Sequence, residues 1–169
     1  MTLTLLGGAA PLQAHPMPDT EITVGRNAQT LNLVIKLPMS ELMLALPPHY
    51  PRDAKALIGS NQRDLRAYFA AHTRLLAHGG RTVPVTIGSI RLNREHDPDV
   101  GNYAELEVRA TARIAGHVPL SLVYDGVLHR VANHRAIVRD RAGRLLGVIR
   151  FSLAAKAATP LPLPLARRP

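Results

Sequence analysis

The chain has 169 residues, a formal charge of +9 at pH 7, eight histidines and no cysteine. That length suits one domain with a full apolar core, and the missing thiols exclude disulfides, thiolate zinc sites and cysteine redox chemistry. Any transition-metal site must use nitrogen and oxygen donors, helped at most by a thioether from one of the four methionines.

The basic charge does not read as a nucleic-acid footprint. Arginines recur singly, as at Arg109, Arg113, Arg130, Arg135 and Arg139, and aromatic residues make up 4% with no Trp. Basic blocks and base-stacking platforms are therefore both lacking. A solvated basic surface, suited to an acidic partner or to anionic lipid headgroups, is the expectation. No stretch reaches the about 18 apolar residues of a membrane span, so a soluble chain is expected.

Residues 1–14 hold the apolar run Leu3 to Ala10, then Pro11 and the small residue Ala14. This fits the apolar region and cleavage site of an export signal that lacks its charged start, so we read it as a truncated signal. The expected mature chain begins at His15, outside the cytoplasm in a periplasm-like compartment, and associates with a membrane only through a partner. Residues 15–153 then form the expected domain.

Period-two alternation dominates from Thr20 onward. Leu31, Leu33, Ile35 and Leu37 share one face, and so do Ala104, Leu106, Val108, Ala110, Ala112 and Ile114, with Glu105, Glu107, Arg109, Thr111 and Arg113 opposite. These are half-buried strands. Val118, Leu120, Leu122 and Tyr124 form another strand before the turn pair Asp125-Gly126. Shorter strands are expected at Glu21–Arg26, Val83–Ile87, Ser89–Asn93 and Arg144–Phe151. Between Asn61 and His78, Leu65, Phe69, His72 and Leu76 fall at helical spacing, with Asn61 as N-cap and Gly79-Gly80 as the stop. The predicted fold is mostly β, an antiparallel sandwich of immunoglobulin-like or similar type, with one inserted helix around residues 61–78. Residues 154–169 are rich in Ala and Pro and read as an extended tail or linker.

Hydrolase signatures and Gly-rich phosphate loops are absent, so we expect neither an enzyme nor a small-molecule substrate. The chemistry-bearing candidates are histidines. At a mature N-terminus, His15 offers an α-amino group of pKa near ~8 and an imidazole that close one chelate ring. Pro16 has no amide proton to lose, so the donors stop at amine and imidazole. Such nitrogen donors suit Cu(II) and Ni(II), with zinc also accepted.

His129 and His134 are the best internal pair. Five apart on a regular strand, they would face opposite ways. The apolar phase slips here, however: Val127 and Val131 go with His129, while Ala136 and Val138 go with His134. A bulge or tight bend at Ala132-Asn133 would bring both imidazoles to one side, and Asn tolerates the left-handed backbone this needs. His72 reads as a core or boundary residue of the helix. His49, His78, His96 and His117 read as loop, cap or turn residues. Met17 offers at most a weak axial thioether. Asp125 is first a turn residue and second an orienter of an imidazole.

Three segments carry a family resemblance: Ala14-His15-Pro16-Met17-Pro18, the strand end Lys36-Leu37-Pro38 with Ser40-Glu41-Leu42, and the run from Tyr124-Asp125 through His129-Arg130-Val131 to His134-Arg135-Ala136. Together they resemble the extracytoplasmic N-terminal domain of HupE/UreJ-like proteins over most of residues 14–150. The resemblance implies association with nickel or cobalt uptake and His15, His129 and His134 as metal ligands. Family members usually carry a membrane domain after this one, and this sequence stops at Pro169 without it.

The expectation is thus an exported domain that binds a divalent transition metal (Ni, Co or Cu) and delivers it to, or senses it for, a membrane permease or the membrane domain of the same system. The rival is a metal-free interaction module whose basic face docks a membrane protein or an acidic partner. A copper mono-oxygenase with the same amino-terminal chelate is disfavoured, because aromatics for a flat polysaccharide-binding face are scarce.

Overall fold

Alternating apolar residues need a second layer to cover them, and two sheets supply it. The computed structural model describes residues 17–115, 118–131 and 133–164; His15 lies outside them. In chain order the elements are β1 (Thr20–Arg26), β2 (Thr30–Pro38), α1 (Met39–Ala45), α2 (Ala54–Ser60), α3 (Gln62–His72), β3 (Thr73–Ala77), β4 (Thr82–Val83) and β5 (Thr86–Asp97). Then follow β6 (Gly101–Arg113), β7 (Leu120–Tyr124), β8 (Ala136–Asp140), β9 (Leu145–Ile149), β10 (Phe151–Ser152), β11 (Ala157–Ala158) and β12 (Leu161–Leu163).

The larger sheet has six strands in the order β5-β6-β2-β1-β8-β9, and the second has four in the order β12-β7-β3-β4. All ladders are antiparallel except β1 with β8. The result is a mostly β, sandwich-like fold, as the alternation implied.

Register explains the core. Ile35 lies opposite Ile22 and Val108, and Leu33 opposite Val24 and Ala110, so the apolar parity of three adjacent strands coincides. Leu31, Leu33, Ile35 and Leu37 are at most 1% exposed. On the outer face, Lys36 reaches Glu105 at 3.1 Å and Arg109 reaches Glu107 at 2.8 Å, so these cations are already paired.

The helical region departs from expectation. The helix beginning after Asn61 stops at His72, and Thr73–Ala77 is a strand. A short apolar run satisfies either period. Here Thr73, Leu75 and Ala77 turn to the core while Thr73 to Ala77 pair with β7, and the ladder wins. Two shorter helices also form. In α1, Met39, Leu42 and Ala45 share a buried side; in α2, the Asp53 carboxylate caps the Ala56 amide at 2.8 Å and Leu57 is buried.

The expected tail is, as far as Pro164, part of the fold. β11 pairs with β10, and β12 pairs with β7, where Leu163 lies opposite Leu120 and is 6% exposed. The alternation Pro160-Leu161-Pro162-Leu163-Pro164 places both leucines on one side. Prolines, which cannot donate to a ladder, are tolerated because β12 is an edge strand.

This gives a direct check. Leu163→Ala should destabilise the protein by about 2–3 kcal/mol in chemical denaturation, whereas Leu153→Ala, at a position 75% exposed, should stay within about 0.5 kcal/mol. Equal, negligible effects would restore the linker reading of residues 154–164.

Candidate metal centre

The site begins with a strand register. Thr73, the first residue of β3, pairs antiparallel with Tyr124, the last of β7. The residue before Thr73 must then face the residue after Tyr124. Accordingly the Asp125 amide donates to the His72 carbonyl at 3.1 Å, and His72 Nδ1 lies 2.7 Å from Asp125 Oδ1. One turn earlier on α3, Tyr68 lies on the same side as His72, with ring centroids 4.4 Å apart.

After Asp125 the chain does not continue as a strand. Residues 126–130 form a turn in which the His129 amide points to the Asp125 carbonyl at 3.4 Å, and the Val131 amide donates to the Val127 carbonyl at 3.1 Å. Val127 and Leu128 anchor this turn in the core. Gly126 makes the tight start feasible. A Cβ there would lie 2.7 Å from the Tyr124 hydroxyl, well inside contact distance. The Tyr68 hydroxyl donates to the Gly126 carbonyl and closes the turn from the helix side.

The turn brings the His129 ring onto His72. The two imidazoles stack with centroids 4.6 Å apart and planes 8° from parallel. His129 Nδ1 lies 2.7 Å from the Asp125 carbonyl oxygen. A carboxylate and a carbonyl only accept, so each Nδ1 carries the proton and each Nε2 carries the lone pair. Neither Nε2 has a protein partner among the described residues. Both histidines line a cavity of about 510 Å³ with Tyr68, His49, Tyr50 and Asp64.

Electrostatics favour the neutral form of His129. Burial pushes the His129 pKa below its ordinary value, assisted by the neighbouring His72 and Arg130 and opposed by Asp125. Burial also raises the Tyr68 pKa far above the usual tyrosine range, so Tyr68 stays a neutral donor. An imidazole whose Nδ1–H is held by a carboxylate, with a free Nε2, is the usual arrangement of a metal-binding histidine.

His134 sits differently. Asn133 has φ 68°, the left-handed bend anticipated there, but it ends a turn rather than bulging a strand. The bend directs His134 Nε2 to Thr20, 2.9 Å from Oγ1 and 3.2 Å from the amide nitrogen, whose proton is shared with the Arg135 carbonyl. An amide only donates, so Nε2 is the acceptor and its lone pair is engaged. Beside this contact, Arg135 grips the Asp19 carboxylate at 2.5–3.1 Å. His134 and His129 do border one smaller cavity of about 250 Å³. Among the described residues, no three His, Asp or Glu side chains converge as a complete metal cage. No protein-family model matches the chain, and no curated protein matches it.

The alternation put His129 on a strand with Val127 and Val131, ahead of a bend at Ala132-Asn133; the structure has it in the turn 126–130, beside a partner the sequence did not indicate. His72, read as a boundary residue, and Tyr68 join the site from 53 or more residues away. The only local trace was the spacing of Tyr68 and His72, one helical turn apart.

The Thr20 contact has a pH consequence. Burial lowers the His134 pKa from 6.5, with Arg135 adding to the shift and Asp19 opposing it. The unfolded chain therefore takes up this proton first as pH falls through about 6.5, and stability drops until the depressed native value is passed. Between about pH 7.5 and pH 5 the melting temperature should fall, and His134→Gln should flatten part of that slope. An unchanged slope in the variant would remove His134 as its source.

Proposed function

We propose that this chain is an exported, extracytoplasmic domain that binds a divalent transition-metal ion, nickel, cobalt or copper, through His72 and His129. The observation that carries the reading is the pair of unpartnered Nε2 atoms; the rings lie 8° from parallel, so one of them must turn for both lone pairs to meet a single ion. One residue, Asp125, fixes both Nδ1 protons and leaves both Nε2 lone pairs without a protein partner among the described residues. Nitrogen donors fit these ions, and the bound ion would supply its usual Lewis acidity and charge at that point.

Two imidazoles alone make an incomplete site. The amine and imidazole of His15, exposed by cleavage after Ala14, would bring the donors to four nitrogens. Thr20 lies five positions after His15, at most about 18 Å of chain, and is tied to the segment that carries His129 and His134. On this reading His134 holds the N-terminal strand beside the site and is not itself a ligand, because Thr20 occupies its Nε2. Asp125 orients both ligands.

Delivery to, or sensing for, a membrane permease rests on the likeness to HupE/UreJ-like domains and on the export-like start. Among the described residues no helix is long and apolar enough to cross a membrane. On this reading the membrane step is carried out by the permease or membrane domain that this domain serves.

The test is calorimetric titration of protein beginning at His15 with Ni(II), Co(II) and Cu(II). Tight 1:1 binding is expected for at least one ion, with His72→Ala and His129→Ala each weakening it by more than tenfold and His134→Ala far less. Asp125→Asn should weaken it about 10–100-fold by loosening both rings. Binding that survives the His72/His129 double change in a folded protein would refute this donor set. Melting temperatures indifferent to all three ions would favour the metal-free docking module instead.

A further inference from the structure

The smaller cavity behind His129 has a chemistry of its own. It holds about 250 Å³ and is bordered by His129, Arg130, Asn133, His134, Arg150 and Phe151. No acidic side chain among the described residues lines it. Arg130 and Arg150 form no ion pair among the described residues, whereas Arg109, Arg135 and Arg144 each hold a carboxylate.

The histidine adds to this bias. Because His134 Nε2 accepts from the Thr20 amide, its proton resides on Nδ1, so its second nitrogen can only donate. The polar border of the cavity is thus two exposed arginines, a donating imidazole edge and an Asn side chain, set beside apolar residues such as Phe151. The residues come from two separate segments, the turn after β7 and the junction of β9 with β10. The Thr159 amide donates to the Arg150 carbonyl at 3.3 Å and holds that junction against β11. Two exposed arginines without ion-pair partners among the described residues, at the border of a pocket without an acid, favour an anionic ligand there. Planar guanidinium forks match two-oxygen acceptors. The volume falls below the about 300–1,000 Å³ typical of larger organic ligands.

We propose that this pocket binds a small oxyanion, of the carboxylate or phosphate type, between Arg130 and Arg150. The pocket is distinct from the larger cavity at the His72–His129 pair but shares His129 and Arg130 with it, so an ion held there and an anion held here would be neighbours. The proposal does not require the metal reading and is tested on metal-free protein.

Citrate and inorganic phosphate serve as probes in separate titrations at fixed ionic strength, followed by calorimetry and by NMR of the Asn133 and His134 resonances. Saturable 1:1 binding of at least one probe is expected, with shifts at both residues. Arg130→Gln and Arg150→Gln should each weaken it about fivefold to tenfold, and the double change should abolish it. Arg113→Gln, an exposed arginine on β6 outside the pocket, should leave it unchanged. Binding of citrate alone identifies a carboxylate ligand, of phosphate alone a phosphate ligand, and of both the shared oxyanion chemistry. Failure of both probes to saturate, or affinity that survives the double arginine change, overturns the proposal. So does an equal loss in Arg113→Gln, which would mark a general charge effect.

Discussion

The candidate centre depends on one alignment, the pairing of Thr73 with Tyr124 at the ends of β3 and β7. Because β3 begins where α3 stops, that register converts the last helical residue into the neighbour of the first turn residue beyond β7. A slip of one position would present Thr73 or Ala71 to Asp125 in place of His72, and would turn the buried face of β3 outward. Such a slip is strongly opposed. Leu75 and Leu122 lie opposite each other with no measurable exposure, and Phe69 on α3 is likewise fully buried. The site's geometry is therefore held by apolar packing that lies wholly outside it.

Asp125 then does two things with two different oxygens. Its carboxylate takes the proton of one imidazole, and its carbonyl takes the proton of the other. Because the residue sits at the end of β7, its backbone cannot shift without disturbing the sheet. The tyrosines reinforce it: Tyr68 ties down the next carbonyl, and Tyr124 packs so close to Gly126 that no side chain fits there. Two aromatic rings and one carboxyl residue thereby fix two histidines contributed by separate elements.

The sequence made the sheets legible and hid the site. Alternation along β2 and β6 is a local signal, and both strands appear where the pattern implied. Asn133 was also legible, because the phase of the apolar residues slips on either side of it and Asn accepts a positive φ. His72 was not. Its helical spacing is equally that of a core residue, and its partner lies 53 positions away, brought near only by a long-range register. The strand at Thr73–Ala77 was masked for a related reason: Leu76 continues the helical spacing of Leu65, Phe69 and His72, and pairing with β7 decides between the two periods. The leucines of β12 were obscured by prolines, whose abundance resembles a linker until an edge position excuses their missing amide protons.

On the proposed reading, the donor set also bears on which ion is retained. Nitrogen ligands alone follow the general order in which copper(II) exceeds nickel(II), and nickel(II) exceeds cobalt(II), so affinity by itself favours copper. Selectivity for nickel or cobalt would have to come from geometry. The Nδ1 contacts of the two rings restrict how far each imidazole can turn from the parallel stack towards a shared ion, and so limit the angles that ion can adopt. Pro16 supplies a point at which a backbone nitrogen cannot be recruited to complete a square of deprotonated amides around copper or nickel. A site limited to imidazoles and one amine stays neutral in its ligands, so the nearest charges that offset the ion are the Asp125 carboxylate against His72 and Asp64 in the cavity wall. The smaller pocket that also borders His129 carries no acid among the described residues, so an anion held there would add to that offset.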